Sequence, residues 1–138
     1  MYPAHRREQA AHAYAQGAAA IPPAAMLVQL HDGMVAKLVQ ARTAIHEGRI
    51  EDRLDASLKV AAVIEALHLA LDTEQGGEVA ANLGRLYGYF IGRLQALNVA
   101  NDAAICDELI ARLGDLRQGW AATLDAGRAA TLDGPILS

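Results

Sequence analysis

From Leu27 onward large apolar residues recur in steps of three and four, as Leu27, Leu30, Met34, Leu38, Ala41 and Ile45. This is the spacing of a helix with one buried face. The double proline Pro22-Pro23 disfavours helix before it and fixes the backbone for a start just after it. A first helix is therefore predicted over residues 24–47, ended by Gly48. Leu54, Leu58, Ala61, Ile64, Leu67 and Leu71 predict a second helix over 51–71, with Val60 and Val63 widening its apolar face. Gly76-Gly77 then allow a left-handed turn that other residues resist. A third helix, over 78–98, follows on Val79, Leu83, Leu86, Phe90, Leu94 and Leu97. Asn101-Asp102 offers a side-chain oxygen as an N-cap, and a fourth stripe of Ile105, Leu109, Leu113, Leu116, Trp120 and Leu124 predicts a helix over 102–125.

Short joints between long amphipathic helices force antiparallel neighbours, so the pattern predicts an all-α, antiparallel up-down four-helix bundle over residues 23–125. Residues 1–22 keep no apolar period and read as a mobile N-terminal arm, and residues 126–138 lose the period and read as a flexible C-terminal tail. Composition agrees with a helical fold. The 53% hydrophobic share is drawn mostly from alanine, leucine and valine, with one Phe and one Trp; alanine and leucine are strong helix formers, and the aromatic and β-branched content of a strand-rich domain is missing.

Charge and chemistry narrow the function by exclusion. The net charge of -4, without a basic run, argues against nucleic acid. The opening MYPAHRREQAAHAYAQ is charged where a secretory signal needs an apolar core, and no segment approaches the roughly 18 to 20 apolar residues of a membrane span. A cytoplasmic protein is expected, with no membrane insertion. The single cysteine, Cys106, excludes an internal disulfide and reads as a packed thiol. A carboxylate-bridged di-metal bundle needs two Glu-x-x-His motifs, and this chain has one, Glu65-x-x-His68, so neither metal nor cofactor is expected. His31, His46 and His68 lack the Lys and Gly that follow a phosphotransfer histidine and read as helix-surface or groove-edge residues. Gly76-Gly77-Glu78 lacks the spacing of a phosphate loop, and neither Ser57 nor Ser138 has a histidine at useful spacing. No catalysis is expected. Two classes remain, a binding protein and a signalling (phosphotransfer-like) or metal-binding bundle.

Beside the core stripes runs a second set of large residues: Val28, Val35 and Val39, then Val60 and Val63, then Tyr87 and Ile91. It widens the core or lines grooves for another helix. The segment NLGRLYGYFIGRL adds a puzzle, because Gly84, Gly88 and Gly92 sit in a helix where each costs about 0.8 to 1 kcal/mol against alanine. They share a side next to Tyr87 and Ile91, away from Leu83, Leu86, Phe90 and Leu94. Either they are simply exposed, or they form a smooth strip that lets a partner helix approach closely.

The run LDTEQGGEVAANLGRLYGYFIGRLQALNVAND, residues 71–102, resembles the flagellar secretion chaperone family usually called FliS. The matching residues are Leu71, Asp72, Gly76, Gly77, Glu78, Asn82, Leu83, Leu86, Tyr87, Tyr89, Arg93, Leu94, Asn98, Asn101 and Asp102. PPAAMLVQLHDG (22–33), AYAQ (13–16) and Trp120 are similar to further family blocks. Pro22 replaces the family's usual Ser or Thr cap, His31 stands where Tyr or Phe is common, and Gly88 and Gly92 occupy positions that are often Asp and Arg. The resemblance implies a non-catalytic chaperone that binds the C-terminal segment of flagellin, prevents its premature polymerisation in the cytoplasm, and delivers it to the flagellar type III export gate. It also leaves an anti-sigma factor, a co-chaperone and a homodimer open as partners. On this reading the flagellin contacts are expected at Val28, His31, Val35, Val39, Val60, Val63, Leu67, Tyr87 and Ile91. Tyr14 in the arm is expected to anchor over a groove in the client-free state, against the simpler reading of a disordered tail with an incidental tyrosine.

Overall fold

The computed structural model describes residues 22–137, which form four α-helices and, among the described residues, no strand. They are α1 (Ala24–His46), α2 (Ile50–Leu69), α3 (Thr73–Ala100) and α4 (Ala103–Leu137). The Pro23 carbonyl accepts from the Leu27 N–H at 3.0 Å, so the proline pair opens α1 where the spacing predicts. At its far end Gly48 takes a left-handed φ of 71°. Its N–H donates to the Ile45 carbonyl (3.2 Å) and the Arg49 N–H donates to the Ala44 carbonyl (2.8 Å). These are the paired bonds of a Schellman stop.

Two helix ends differ from the apolar period. The third helix starts earlier than the glycine pair suggests, because the Asp72 carboxylate accepts from the N–H groups of Glu74 (3.1 Å) and Gln75 (3.2 Å) and secures an extra turn. The backbone then breaks at Gly77, whose φ of 57° and ψ of -134° suit glycine alone. The fourth helix runs on to Leu137, past the last apolar repeat near Leu124.

The joint between α3 and α4 gives the Asn98, Asn101 and Asp102 motif a structural job. Asn101 adopts the left-handed conformation that ends α3, and the Asp102 carboxylate accepts from the Ala104 N–H (2.9 Å) to start α4. Asn101 Oδ1 also accepts from Arg53 Nη1 (2.6 Å), and Asn98 Oδ1 from the Ser57 hydroxyl (2.8 Å). The motif thereby clasps α2.

The helices pack in a ring, α1 on α2, α2 on α3, α3 on α4 and α4 on α1; the α1–α4 face is the largest and the α3–α4 face the smallest. Arg42–Asp107 (2.7 Å) and Arg117–Asp32 (3.0 Å) set the antiparallel register of α1 against α4. The all-α bundle predicted from the sequence is the fold observed. Leu27, Met34, Leu38, Ile64, Phe90, Leu94, Leu97, Leu109 and Leu113 fill the core as their spacing predicts.

The inward face of α2 is different from the one its leucines suggest. Leu54 and Leu58 are exposed, while Ala56, Val60, Ile64 and Leu67 point inward. Two overlapping apolar stripes compete on this helix. The Arg53 and Ser57 bonds to α3 fix its rotation, and small side chains at Ala56 and Ser57 let the helices close. Tyr87, expected beside the core, lies inside it, and Val79, expected inside, is exposed.

Candidate functional site

The bonds Arg53–Asn101 and Ser57–Asn98, together with His68 against Gly84, set the register of α2 on α3. That register brings Leu54 level with Val99, Leu58 with Gln95 and Ala61 with Ile91, because a step of three or four residues returns to the same helix face. Leu58 is 56% exposed and Val99 89%. Along the same side of α3 nothing lies near a Cβ built on Gly88 or Gly92, and one on Gly84 would meet His68 Nε2 at an ordinary 3.5 Å. The result is an open apolar surface along the α2–α3 seam, with Leu54, Leu58 and Val99 exposed on it and no side chain at Gly88 or Gly92. From Leu54 to His68 it runs about 21 Å at 1.5 Å per residue, the length of a helix of four turns.

A second apolar opening lies on the other side of α3. Val79 and Leu83 of α3 and Leu116, Gly119 and Trp120 of α4 line a cleft of about 280 Å³, with Asp115 and Thr123 at its edge. Beyond it α3 and α4 are clasped by polar groups. Glu108 of α4 accepts from the Tyr89 hydroxyl, from Arg93 Nε (2.9 Å) and from Arg112 Nε (3.3 Å), and the Arg112 guanidinium lies 5.4 Å from the centre of the Tyr89 ring. The Tyr89 hydrogen bond and the arginines hold the Glu108 carboxyl below its ordinary pKa, and the same bond raises that of Tyr89.

A third recess, of about 330 Å³ between α1 and α2, is lined by Val39, Gln40, Thr43, Arg49, Asp52, Asp55 and Ala56. It is polar. Arg49 spans it with bonds to Glu47 (2.7 Å) and Asp52 (2.5 Å), and these bonds push the exposed Arg49 upward in pKa.

The residues expected at the surface divide into two sets. Val28, Val35, Val63 and Ile91 are half-buried and Val39 is exposed, so these five reach solvent. His31, Val60, Leu67 and Tyr87 are packed in the interior. This corrects their placement on an outer face: the second apolar set is partly core. Burial pushes the Tyr87 hydroxyl up to about 12. Leu54, Leu58, Val99, Val79 and Trp120 are the groove and cleft residues that the spacing did not single out as such. The available signal was the pair of Ser57 and Arg53 beside Leu54 and Leu58, two polar residues whose bonds to α3 turn the leucines outward. Tyr14 lies outside the described residues.

His31 has the most constrained surroundings of the four interior residues. It is 0% exposed, and its Nδ1–H donates to the Leu27 carbonyl at 2.7 Å, which leaves Nε2 as a buried acceptor without a partner. Burial lowers its pKa, against the opposing pull of the Leu27 carbonyl and Asp32. An unfolded chain therefore takes up this proton before the folded one, so stability is complete above the ordinary histidine pKa of about 6.5 and declines as the pH falls below it. The melting temperature is expected to drop more steeply between about pH 7 and 5 in the wild type than in His31→Phe. Parallel melting curves across that range would show that His31 does not titrate against folding.

Burial raises the Cys106 thiol to about 11, so at neutral pH it stays protonated and unreactive. Among the described residues no three metal-binding side chains converge, and no helix is long and apolar enough to cross a membrane. Glu65 and His68 are both exposed.

The chain is thus a four-helix bundle that leaves apolar side chains uncovered along α2 and α3 and in the cleft between α3 and α4. The chain belongs to the flagellar protein FliS family, whose model matches residues 6–127. It is 39% identical over 98 residues to flagellar secretion chaperone FliSB of Pseudomonas aeruginosa, covering 71% of this chain and 78% of that protein. Flagellar secretion chaperone FliS of Salmonella typhimurium is 35% identical over 99 residues, covering 71% of this chain and 73% of its own. The Campylobacter jejuni FliS is 32% identical over 110 residues, covering 79% and 86%.

Proposed function

We propose that this protein is a cytoplasmic export chaperone for flagellin. It binds the C-terminal segment of flagellin, prevents premature polymerisation and delivers the bound chain to the flagellar type III export gate. The observation that carries the reading is the family match over residues 6–127, a span that includes both apolar openings beside α3. The mechanism requires no catalytic step. An amphipathic client folds on the groove walls, gains free energy by burying its apolar face, and spends part of that gain on its own ordering, which keeps the complex releasable. The proposed contacts are Ile91 with Leu54, Leu58 and Val99 in the α2–α3 groove, and Val28, Val35, Val39 and Val63 along α1 and α2. Contact with His31, Val60, Leu67 or Tyr87 would require the bundle to open. The same surfaces could serve an anti-sigma factor, a co-chaperone or a second copy of the chain, and co-purification separates these partners.

The test is co-purification with the flagellin of the same organism, intact and without its C-terminal segment. Retention of intact flagellin alone is expected, and equal retention of the truncated form overturns the reading. In the same proposal the arm around Tyr14 covers the α2–α3 groove until the client arrives. Removing residues 1–18 is then expected to raise the association rate, and an unaltered rate removes the arm from the mechanism.

A further inference from the structure

The joint between α3 and α4 is built differently from the other two. Gly48 turns the chain between α1 and α2, and Gly77 breaks the backbone just after α2 gives way to α3, both at a positive φ. Glycine is a poor residue for an uninterrupted helix. From Arg93 to Leu113, by contrast, the chain holds neither glycine nor proline. Its turn is made by Asn101 at φ 53° and ψ 46°, the one non-glycine residue with a positive φ among the described residues. Asparagine adopts this conformation more readily than other side chains, but less readily than glycine. Two bonds hold the turn closed, from Arg53 Nη1 to Asn101 Oδ1 (2.6 Å) and from the Ala104 N–H to the Asp102 carboxylate (2.9 Å). The helices that it joins touch each other least: the α3–α4 interface is the smallest in the ring, and α4 packs chiefly on α1.

We propose that the chain has a second folded form, a dimer in which two copies exchange α4. Asn101 and Asp102 become helical, α3 and α4 run on as one helix, and each α4 packs on α1 of the other copy. Such an exchange rebuilds every helix interface between chains, so the new dimer needs no further surface, and short joints under strain favour it. The straightened joint gives up the Arg53 bond and the Asp102 cap. In return it gains backbone hydrogen bonds and frees Asn101 from the left-handed region. Leu94 and Ile105 are eleven residues apart and fall about 20° from each other on a continuous helix, so both buried stripes still face a core. In the dimer the second copy supplies Leu116 and Trp120 to the cleft whose other side is Val79 and Leu83 of the first. That cleft is then a site made by two chains. The inference does not depend on the client reading above.

Two substitutions at the joint predict opposite outcomes. Asn101→Ala and Asn101→Gly both lose the Arg53 bond, but alanine resists the left-handed turn and favours helix, whereas glycine accepts the turn and disfavours helix. After refolding at high protein concentration, sedimentation is expected to show a dimer Kd for the alanine variant at least about a hundredfold below that of the glycine variant, because each dimer contains two joints. Equal values overturn the proposal, as does the absence of any dimer in the refolded wild type. The ion pairs between α1 and α4 then separate exchange from side-by-side association and leave the joint untouched. Asp32→Arg with Arg42→Asp reverses both charges on α1, and Asp107→Arg with Arg117→Asp reverses both on α4. Alone, each double variant sets like charges against each other, whether closed or exchanged. Only a mixed dimer that has exchanged α4 pairs every charge correctly. The two are refolded together at low ionic strength, one of them isotopically labelled, and counted by native mass spectrometry. Mixed dimers are expected above their random share, with the excess falling as salt is added. A random share overturns the exchange even if dimers form.

Discussion

Alanine at Gly84, Gly88 and Gly92 together is expected to stabilise the protein by about 2.5 to 3 kcal/mol, the sum of three interior helix glycines at about 0.8 to 1 kcal/mol each. The backbone at these positions is helical, so the gain comes from restricting the unfolded chain without strain in the folded one. Space is available: a methyl at Gly88 or Gly92 meets nothing within 4 Å, and one at Gly84 meets His68 at van der Waals distance. For a domain of this size the change corresponds to a rise of roughly 10 °C in melting temperature. Thermal unfolding measures it, and an unchanged or lower melting temperature would mean that α3 is not helical through this stretch. A partner helix seated on the strip would be lifted by three methyl groups. Calorimetric titration with flagellin is therefore expected to show weaker binding by the more stable variant. Unchanged affinity would return the glycines to plain solvent exposure and move the client off this wall of the groove.

How far the sequence discloses the fold depends on whether the chemistry concerned is local. Gly48 and Asp102 each bond to residues within five positions, so a short window carries the whole reason for their role. The start of α3 needed one further local fact, that Asp72 caps the turn ahead of Gly77. The face that α2 turns inward is decided elsewhere. Leu54 and Leu58 are more hydrophobic than Ala56 and Ser57, and periodicity ranks them inward; the bonds from Arg53 to Asn101 and Ser57 to Asn98 reverse that ranking across about 41 to 48 residues of chain. Tyr87 follows the same logic. Its hydroxyl suggests an edge, yet α3 is rotated by the Asn98 and Asn101 contacts so that the ring enters the core. The grooves are therefore the least legible part, because each is defined by what two helices leave uncovered.

Leu58→Asp combined with Val99→Asp is expected to abolish flagellin binding while leaving the fold intact. Both side chains project into solvent, Leu58 from α2 and Val99 from α3, so their replacement opens no cavity, and exposed substitutions of this kind change stability by about 0.5 kcal/mol or less. In a complex the balance is different. Fully burying a large aliphatic side chain contributes about 1.5 to 3 kcal/mol, and a carboxylate forced into the same contact without a partner costs more than the contact returned. Losing two such contacts exceeds about 3 kcal/mol, which is more than a hundredfold in Kd. Lys59→Ala provides the control, because Lys59 is on the outward side of the same helix and is paired with Asp55 at 3.1 Å. It should bind as the wild type does. Circular dichroism melts establish that each variant is folded, and titration with the flagellin C-terminal segment reads the affinity. A folded double variant with wild-type affinity would show that the surface beside the glycine strip is not where the client sits.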